Sequence, residues 1–500
     1  MNISISPVGP METTVDLLAL PLAEDALSES PVLDAIDAAL DGSLRRAMKE
    51  EAFRGKTGQT LTLHTLGRLR PRRVSLFGIG PRSTLRAGSL ASFGARAIRA
   101  ANGCGAATLA LALPADLAPN ANAARAVQSL VEGAVLGEYH FDRYLAEDRR
   151  TPRSLVAVHL LLDPDRTAHE TDAALLRGQR VGSAIARARD LVNEPAGTMT
   201  PKRLAEIATE IAARPGLQIK IFGPKECEDQ GMGLFLAVAR GSTEEPRFVH
   251  LTWSPKGATK RIVLIGKGVT FDSGGLSLKP NDAMLDMKTD MAGAAAVLSV
   301  MEAVAQENLP IEVHALAACT ENMISGSAYK LGDVLRSKAG KTVEINNTDA
   351  EGRLTLADAI TYARDLKPDV ILDFATLTGA CIVALGPHIA GVMSNDDTAC
   401  AAWLDAATTA GEEMWRLPLP DRLLEQLKSD VADMKNTGER WGGALTAGLF
   451  LKEFVGDVPW VHVDLAGPST SDKEAGTAAK GGTGFAVATI FEYLRGVSRI

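Results

Sequence analysis

Two stretches of the chain carry residue types and spacings that could do chemistry. In Asn347-Thr348-Asp349-Ala350-Glu351-Gly352-Arg353-Leu354, two carboxylates and a guanidinium alternate directly after a strand-like Thr342–Asn346. Residues two apart in an extended segment point the same way, so Asp349, Glu351 and Arg353 would share one face. That face is either solvated, or it holds a cation between the two acids with Arg353 open to an anion. The second stretch, Lys267–Pro280 followed by Met287–Gly293, comes directly after an apolar strand at Arg261–Gly266 and adds Lys267, Asp272, Lys279 and Asp290. Gly268, Gly274 and Gly275 would let the backbone turn tightly enough to bring these groups together.

Taken singly, Asp290 reads as the N-cap of an Ala-rich helix and Asp272 as a turn residue. Taken together, Asp272, Asp290, Asp349 and Glu351 place four negative charges at the ends of buried strands, a costly arrangement unless it is neutralised. Two divalent cations would neutralise it, activate a bridging water and polarise a carbonyl. A ligand set without Cys or His suits Mn2+ or Mg2+, and Zn2+ also accepts carboxylates. The eight histidines form no HExxH pattern. On residue type alone, Lys267 is an ion-pairing or phosphate-binding lysine.

The elements that must position these groups form an α/β pattern. Strand-like runs at Thr14–Pro21, Arg73–Gly78 and Ala107–Leu113, with helical stretches at Leu33–Glu51 and Ser89–Asn102, predict a small N-terminal α/β domain. His169–Val192 predicts a long helix, and the boundary is expected near residue 165. Strands at Ile219–Phe222, Phe248–Trp253, Arg261–Gly266, Ile311–Ala318, Val370–Leu377 and Trp460–Leu465 follow. Helices alternate with them at Pro201–Arg214, Asp290–Glu307, Gly352–Asp365, Thr398–Glu412 and Ala444–Phe454. The division expected is 1–167 for the first domain, 168–190 for a linking helix and 191–500 for a larger α/β catalytic domain. Its central, mostly parallel sheet would place ligands at the carboxyl ends of the strands.

Bulk properties exclude several classes. With 500 residues, 46% of them hydrophobic, the chain can bury a large core, and a net charge of −8 gives no general drive towards polyanions or anionic membrane. Five scattered cysteines without a CxxC pair fit a reducing, cytoplasmic setting. The N-terminal residues lack a basic n-region and no apolar run is long enough to span a bilayer, so neither export nor membrane insertion is expected.

GKGVTFDSGGLSLKP, MKTDMAGAAAV, NTDAEGRL and ATLTGA, in this order and spacing, resemble the leucyl aminopeptidase (cytosol aminopeptidase) family of dinuclear metallopeptidases. The likeness extends through LVNEPAGTMTP, GMGLFLAVARGS, DMKNTGERWGGALTAGLFL and WVHVDLAG, covering residues 190–500, and is weaker before them, mainly GEYHFDRY at 137–144. It implies one metal on Lys267, Asp272, Asp290 and Glu351, and another on Asp272, Asp349 and Glu351 with the Asp349 carbonyl. Lys267 would have to ligate as a neutral amine. Lys279 would stay cationic and stabilise the oxyanion, and Arg353 would hold a bicarbonate that acts as general base, because a guanidinium does not give up its proton. Met287, Thr376, Gly379 and Ala466 would shape the pocket for the N-terminal side chain, with a broad Leu-like preference. Peptide substrates and a homohexamer with its catalytic domains inside are further implications.

Gly197 stands where the family more often has Asn, and Glu439 and Trp441 occupy a loop usually smaller or less acidic. A rival reading gives the basic run Arg68, Arg70, Arg72 and Arg73 a DNA-binding role, known for some members of that family. The overall charge and the absence of interleaved aromatics favour a solvated loop instead. A dimetal phosphoesterase is the remaining alternative.

Overall fold

Predominantly apolar runs such as Leu17–Leu22, Thr108–Leu113 and residues 261–266 form the central strands of both halves. The computed structural model describes residues 1–114, 123–162 and 168–499, which divide into two compact units: Met1–Ser183 with Glu474–Ala479, and Ala184–Lys473 with Lys480–Ile500. The division falls inside one helix, Ala168–Asn193. The boundary expected near residue 165 lies outside the described residues.

The first unit is built on six strands, β1 (Asn2–Ser6), β2 (Leu17–Leu22), β3 (Thr60–His64), β4 (Arg73–Gly78), β5 (Thr108–Leu113) and β6 (Ala157–Leu162). Their order is β1-β6-β5-β2-β4-β3, and only β3 runs antiparallel to its neighbour. Period-two alternation sorts β2 between the two faces. Leu17 and Ala19 join the cluster under the Ala87–Gly103 and Ala123–Gly137 helices, whereas Leu18, Leu20 and Leu22 join the one under Pro31–Ala39 and Ser43–Glu50. Those last two helices replace the single helix expected over Leu33–Glu51. The chain breaks at Asp41 and Gly42, both left-handed with φ of 53° and 76°. The basic run is engaged locally: Arg68 pairs with Asp41, Arg70 donates to the Glu12 carbonyl (3.1 Å) and Arg72 pairs with Asp16 (3.0 Å).

The second unit contains β7 (Leu217–Phe222), β8 (Arg247–Trp253), β9 (Arg261–Asp272), β10 (Glu312–Asn322), β11 (Val334–Arg336), β12 (Thr342–Glu344), β13 (Val370–Ala375), β14 (Ala390–Ser394), β15 (Met414–Arg416), β16 (Met434–Lys435) and β17 (Trp460–Asp464). Eight of these make the main sheet in the order β15-β14-β17-β13-β9-β10-β8-β7. The central pairs β17/β13, β13/β9 and β9/β10 are parallel, β14/β17, β10/β8 and β8/β7 are antiparallel, and the outermost pair β15/β14 is parallel. A small sheet β11-β12-β16 lies apart from it. The Ala292–Glu307 helix is buried along most of its length, and Gly352–Asp365 falls where the sequence places it.

One sequence expectation fails at the heart of this unit. β9 does not stop at Gly266 but runs to Asp272, so Lys267 and Asp272 project from a strand and not from a loop. Gly268 accordingly makes no turn. A Cβ there would stand 2.8 Å from the Ala318 carbonyl oxygen, so its role is close approach between β9 and β10. Gly274 and Gly275, with φ of 84° and 63°, do turn the chain.

Candidate functional site

The carboxyl ends of the central strands converge on one acidic cluster. One carboxylate oxygen from each of Asp272, Asp290 and Glu351 lies within 4.8 Å of the other two, and all three side chains are buried. Lys267 Nζ donates to Asp290 Oδ1 and Glu351 Oε1, both at 2.8 Å, and to the Thr376 carbonyl at 3.1 Å. Lys279 Nζ bridges Asp272 Oδ2 at 2.8 Å and Asp349 Oδ1 at 2.6 Å. All seven charged residues singled out in the sequence thus lie in one region, since Arg353 enters from the same helix start as Glu351.

Local structure differs from expectation at four of them. Asp349, Glu351 and Arg353 do not alternate along a strand. β12 ends at Glu344, Asp349 sits in a turn, and Glu351 already has helical dihedrals as the residue before Gly352–Asp365. Gly352 makes room for the lysine, for a Cβ there would stand 2.7 Å from Lys267 Nζ. Asp290 is not an N-cap either. The Ala292–Glu307 helix begins after Met291, and Asp290 Oδ1 instead accepts from Lys267 and from Thr376 Oγ1 (2.6 Å). Asp272 combines both of its readings: its Oδ1 accepts from Gly274 N at 2.8 Å, as a turn residue does, while its other oxygen faces Lys279.

Four carboxyl groups share two ammonium partners in the cluster, so the acids outnumber the lysines that contact them by two. Burial pushes the Asp290 carboxyl up to about 6, against the pull of Lys267 and helped by Asp272. Burial and then Asp272 push Glu351 up to about 8. Burial alone would lower both lysines, but the surrounding carboxylates outweigh it and hold Lys267 and Lys279 above the usual lysine range. Asp290 Oδ2 is buried without a hydrogen-bond partner. Surplus buried anion, with a lone pair unused, is what a cation would satisfy, and the all-oxygen acids with one amine suit hard to borderline divalent ions.

Arg353 is buried, donates through one terminal nitrogen to the Asn436 carbonyl (2.8 Å), and leaves its Nε without a partner. Burial lowers its pKa to about 10, so it remains a cation at neutral pH. Of the expected pocket residues, Met287, Thr376 and Ala466 are half-buried and Gly379 is exposed at the start of the Gly379–Leu385 helix. Trp441, in the divergent loop, is 75% exposed beneath the Arg440 guanidinium, 5.5 Å from its ring centre.

Sequence reading passed over a set of residues that hold this cluster in place. Asn322 Nδ2 donates to Asp272 Oδ1 (2.8 Å) and to the Thr348 carbonyl (2.9 Å), which Tyr329 also reaches at 2.7 Å. Asn436 Nδ2 donates to the Asn347 carbonyl (2.6 Å). Asp464 Oδ1 accepts from the N–H groups of Leu377 (3.1 Å), Thr378 (3.4 Å) and Ala466 (3.3 Å), and Oδ2 from Thr378 Oγ1 (2.7 Å). Only Asp464 carried a signal, an acid at the end of the strand Trp460–Asp464.

Residues 186–491 match the catalytic domain of the cytosol aminopeptidase family, and residues 19–148 match its N-terminal domain. A probable cytosol aminopeptidase of Cyanothece sp. is 42% identical, over 99% of this chain and 100% of its own. Another, of Geobacter sp. (strain M21), shows the same identity and coverage. Among solved structures, a tomato leucine aminopeptidase mutant superposes with a TM-score of 0.90 at 36% identity, covering 99% of this chain and 96% of that one. The bottromycin maturation enzyme BotP in complex with Mn gives 0.84 at 36% identity, covering 97% and 99%. With a buried acidic cluster suited to divalent cations and a match along nearly its whole length, the chain belongs to the cytosol aminopeptidase family and is a metal-dependent aminopeptidase.

Proposed function

We propose that the protein removes the N-terminal residue, preferentially Leu-like, from peptides with a pair of divalent ions held by Lys267, Asp272, Asp290, Asp349 and Glu351. The observation that carries this reading is the surplus of buried carboxylate over ammonium where the central strands end. Two such ions supply a Lewis acid for the scissile carbonyl and a water nucleophile active at neutral pH. Mn2+ or Zn2+, with Mg2+ as a third option, fit the donor set.

The chain's own residues have separable tasks. Lys279 donates to Asp272 and Asp349, both assigned as ligands, and with those acids engaged by ions its ammonium would be released to face substrate. There it donates to the scissile carbonyl oxygen as negative charge builds on it. Lys267 is charged while it faces only carboxylates, and it would serve as a ligand as the neutral amine, the form that a cation held by the same acids would favour. Arg353 holds a bicarbonate as proton acceptor, which its unpartnered Nε and fixed orientation against Asn436 support. Met287, Thr376, Gly379 and Ala466 form the apolar side of the pocket, where single methylenes separate substrates by only ~1–3 kcal/mol. A free α-amine ligates far better than a peptide nitrogen, which restricts the enzyme to chain ends.

A cytoplasmic location is inferred from the relatives' designation as cytosol enzymes and from five free cysteines. A homohexamer is inferred from family membership and is checked by light scattering. The decisive test is hydrolysis of leucine p-nitroanilide with and without Mn2+, in the wild type and in Asp349→Ala. We expect a loss of more than about 100-fold in the variant, exceeding the usual cost of disturbing a metal's outer shell. Undiminished turnover would sink the site.

A further inference from the structure

Asp464 ends β17 with a fully buried carboxylate, and among the described residues all its hydrogen bonds come from two segments. Leu377 N, Thr378 N and Thr378 Oγ1 belong to the chain leaving β13, and Ala466 N belongs to the chain leaving β17. Every one of these contacts is a donor pointing inwards. The three backbone N–H groups on Oδ1 cannot reverse, and an ionised carboxylate accepts these together with the Thr378 hydroxyl on its two oxygens. An amide of the same shape would turn an N–H2 group towards at least one of these donors.

The tethered chain also serves the acidic cluster. Thr376, one residue before Leu377, gives its carbonyl to Lys267 (3.1 Å) and its hydroxyl to Asp290 (2.6 Å). Thr378 in turn caps the Gly379–Leu385 helix, its Oγ1 accepting from Cys381 N at 3.0 Å. One carboxylate therefore fixes Thr376, Gly379 and Ala466 relative to each other, and does so on a segment already pinned to two cluster residues.

We propose that Asp464 is a positioning residue for substrate choice: without touching substrate, it sets the spacing of the pocket wall formed by Thr376, Gly379 and Ala466. This rests on the reading above that those three residues receive the N-terminal side chain. A wall displaced by a fraction of an ångström grips a large side chain less well but matters little to a small one, because only the large one reaches it.

The test compares kcat/KM for leucine p-nitroanilide and alanine p-nitroanilide in the Mn2+-loaded full-length protein, with bound Mn2+ per chain measured alongside. Asp464→Asn keeps the shape and one accepting oxygen. It is expected to lower the leucyl-to-alanyl ratio by about tenfold, the low end of what one methylene contributes. Metal content should match the wild type. Thr378→Val removes only the hydroxyl donor and should shift the ratio in the same direction by less, which keeps the question open to refutation should Asp464→Asn fail to fold. An unchanged ratio, or equal losses on both substrates that follow lost metal, overturns the role of Asp464. A wild-type protein that hydrolyses neither substrate overturns the functional reading and this one with it.

Discussion

Lys267, buried, and Lys279, half-buried, both face acids in the same cluster, yet the proposed reaction gives them opposite fates. Lys279 is the one that must keep its proton, and its removal tests that division. We expect Lys279→Ala to lower kcat by about 10²–10³-fold, the cost of losing one donor to a developing oxyanion. Bound metal, measured by elemental analysis, should change little, because none of the carboxylates is lost. A variant that loses metal in proportion to activity would make Lys279 a structural counter-ion only. At this scale the sequence is informative where acids gather just after apolar strands, which is why Asp272, Asp290, Asp349 and Glu351 stand out as a group, whereas Lys267 reads from residue type only as an ion-pairing or phosphate-binding lysine. It is silent on Asn322 and Asn436. Their partners, Thr348 and Asn347, lie far along the chain, and an asparagine at the end of a strand or in a loop looks the same whether it supports a site or faces water.

Glycines decide how closely the elements that carry these residues approach. A Cβ on Gly293 would come within 2.0 Å of the Phe374 carbonyl oxygen and 3.0 Å of Lys267 N, and one on Gly266 within 2.4 Å of Ala294 Cα. The Ala292–Glu307 helix therefore lies directly against β9 and β13, which brings Asp290 to Lys267. Gly293→Ala should destabilise the fold by at least about 1–3 kcal/mol through overpacking, read as a lower urea midpoint. It should also weaken Mn2+ binding, because Asp290 and Lys267 move apart. A wild-type midpoint with wild-type affinity would show that the helix can retreat at no cost. Such contacts explain what the sequence could and could not reveal about elements. Strands buried on both sides, such as β9 and β13, stand out as apolar runs. The end of β9 did not, because Lys267, Gly268 and Thr270 read as loop until the neighbouring β10 is seen pairing with them up to Asp272. β3, an edge strand whose residues alternate between exposed and half-buried, offers too little apolar character to be recognised.

For the molecule as a whole, a cluster with surplus negative charge implies that ligand and fold are thermodynamically linked. Ions that bind the native state but not the unfolded chain add about 2.7 kcal/mol at a hundredfold excess over Kd. Thermal unfolding should therefore shift upwards with Mn2+ in a saturable manner and return on chelation, and Asp349→Ala should blunt the shift. An unfolding temperature indifferent to metal, in protein whose activity requires it, would separate the catalytic ions from the cluster. The two-unit α/β plan was legible in the sequence, whereas the make-up of the first unit was not, because it includes Glu474–Ala479 from far downstream. Arg99 holds that piece, pairing with Glu474 (3.1 Å) and donating to the carbonyls of Gly476 (2.6 Å) and Ala478 (3.2 Å). The consequence concerns synthesis. A ribosome that has delivered the whole of Met1–Ser183 has not yet delivered everything that unit packs around, and nearly three hundred further residues must emerge before Arg99 meets its carbonyls. The amino-terminal unit, first to be made, is thus among the last to be finished, and for that interval Arg99 must wait in water.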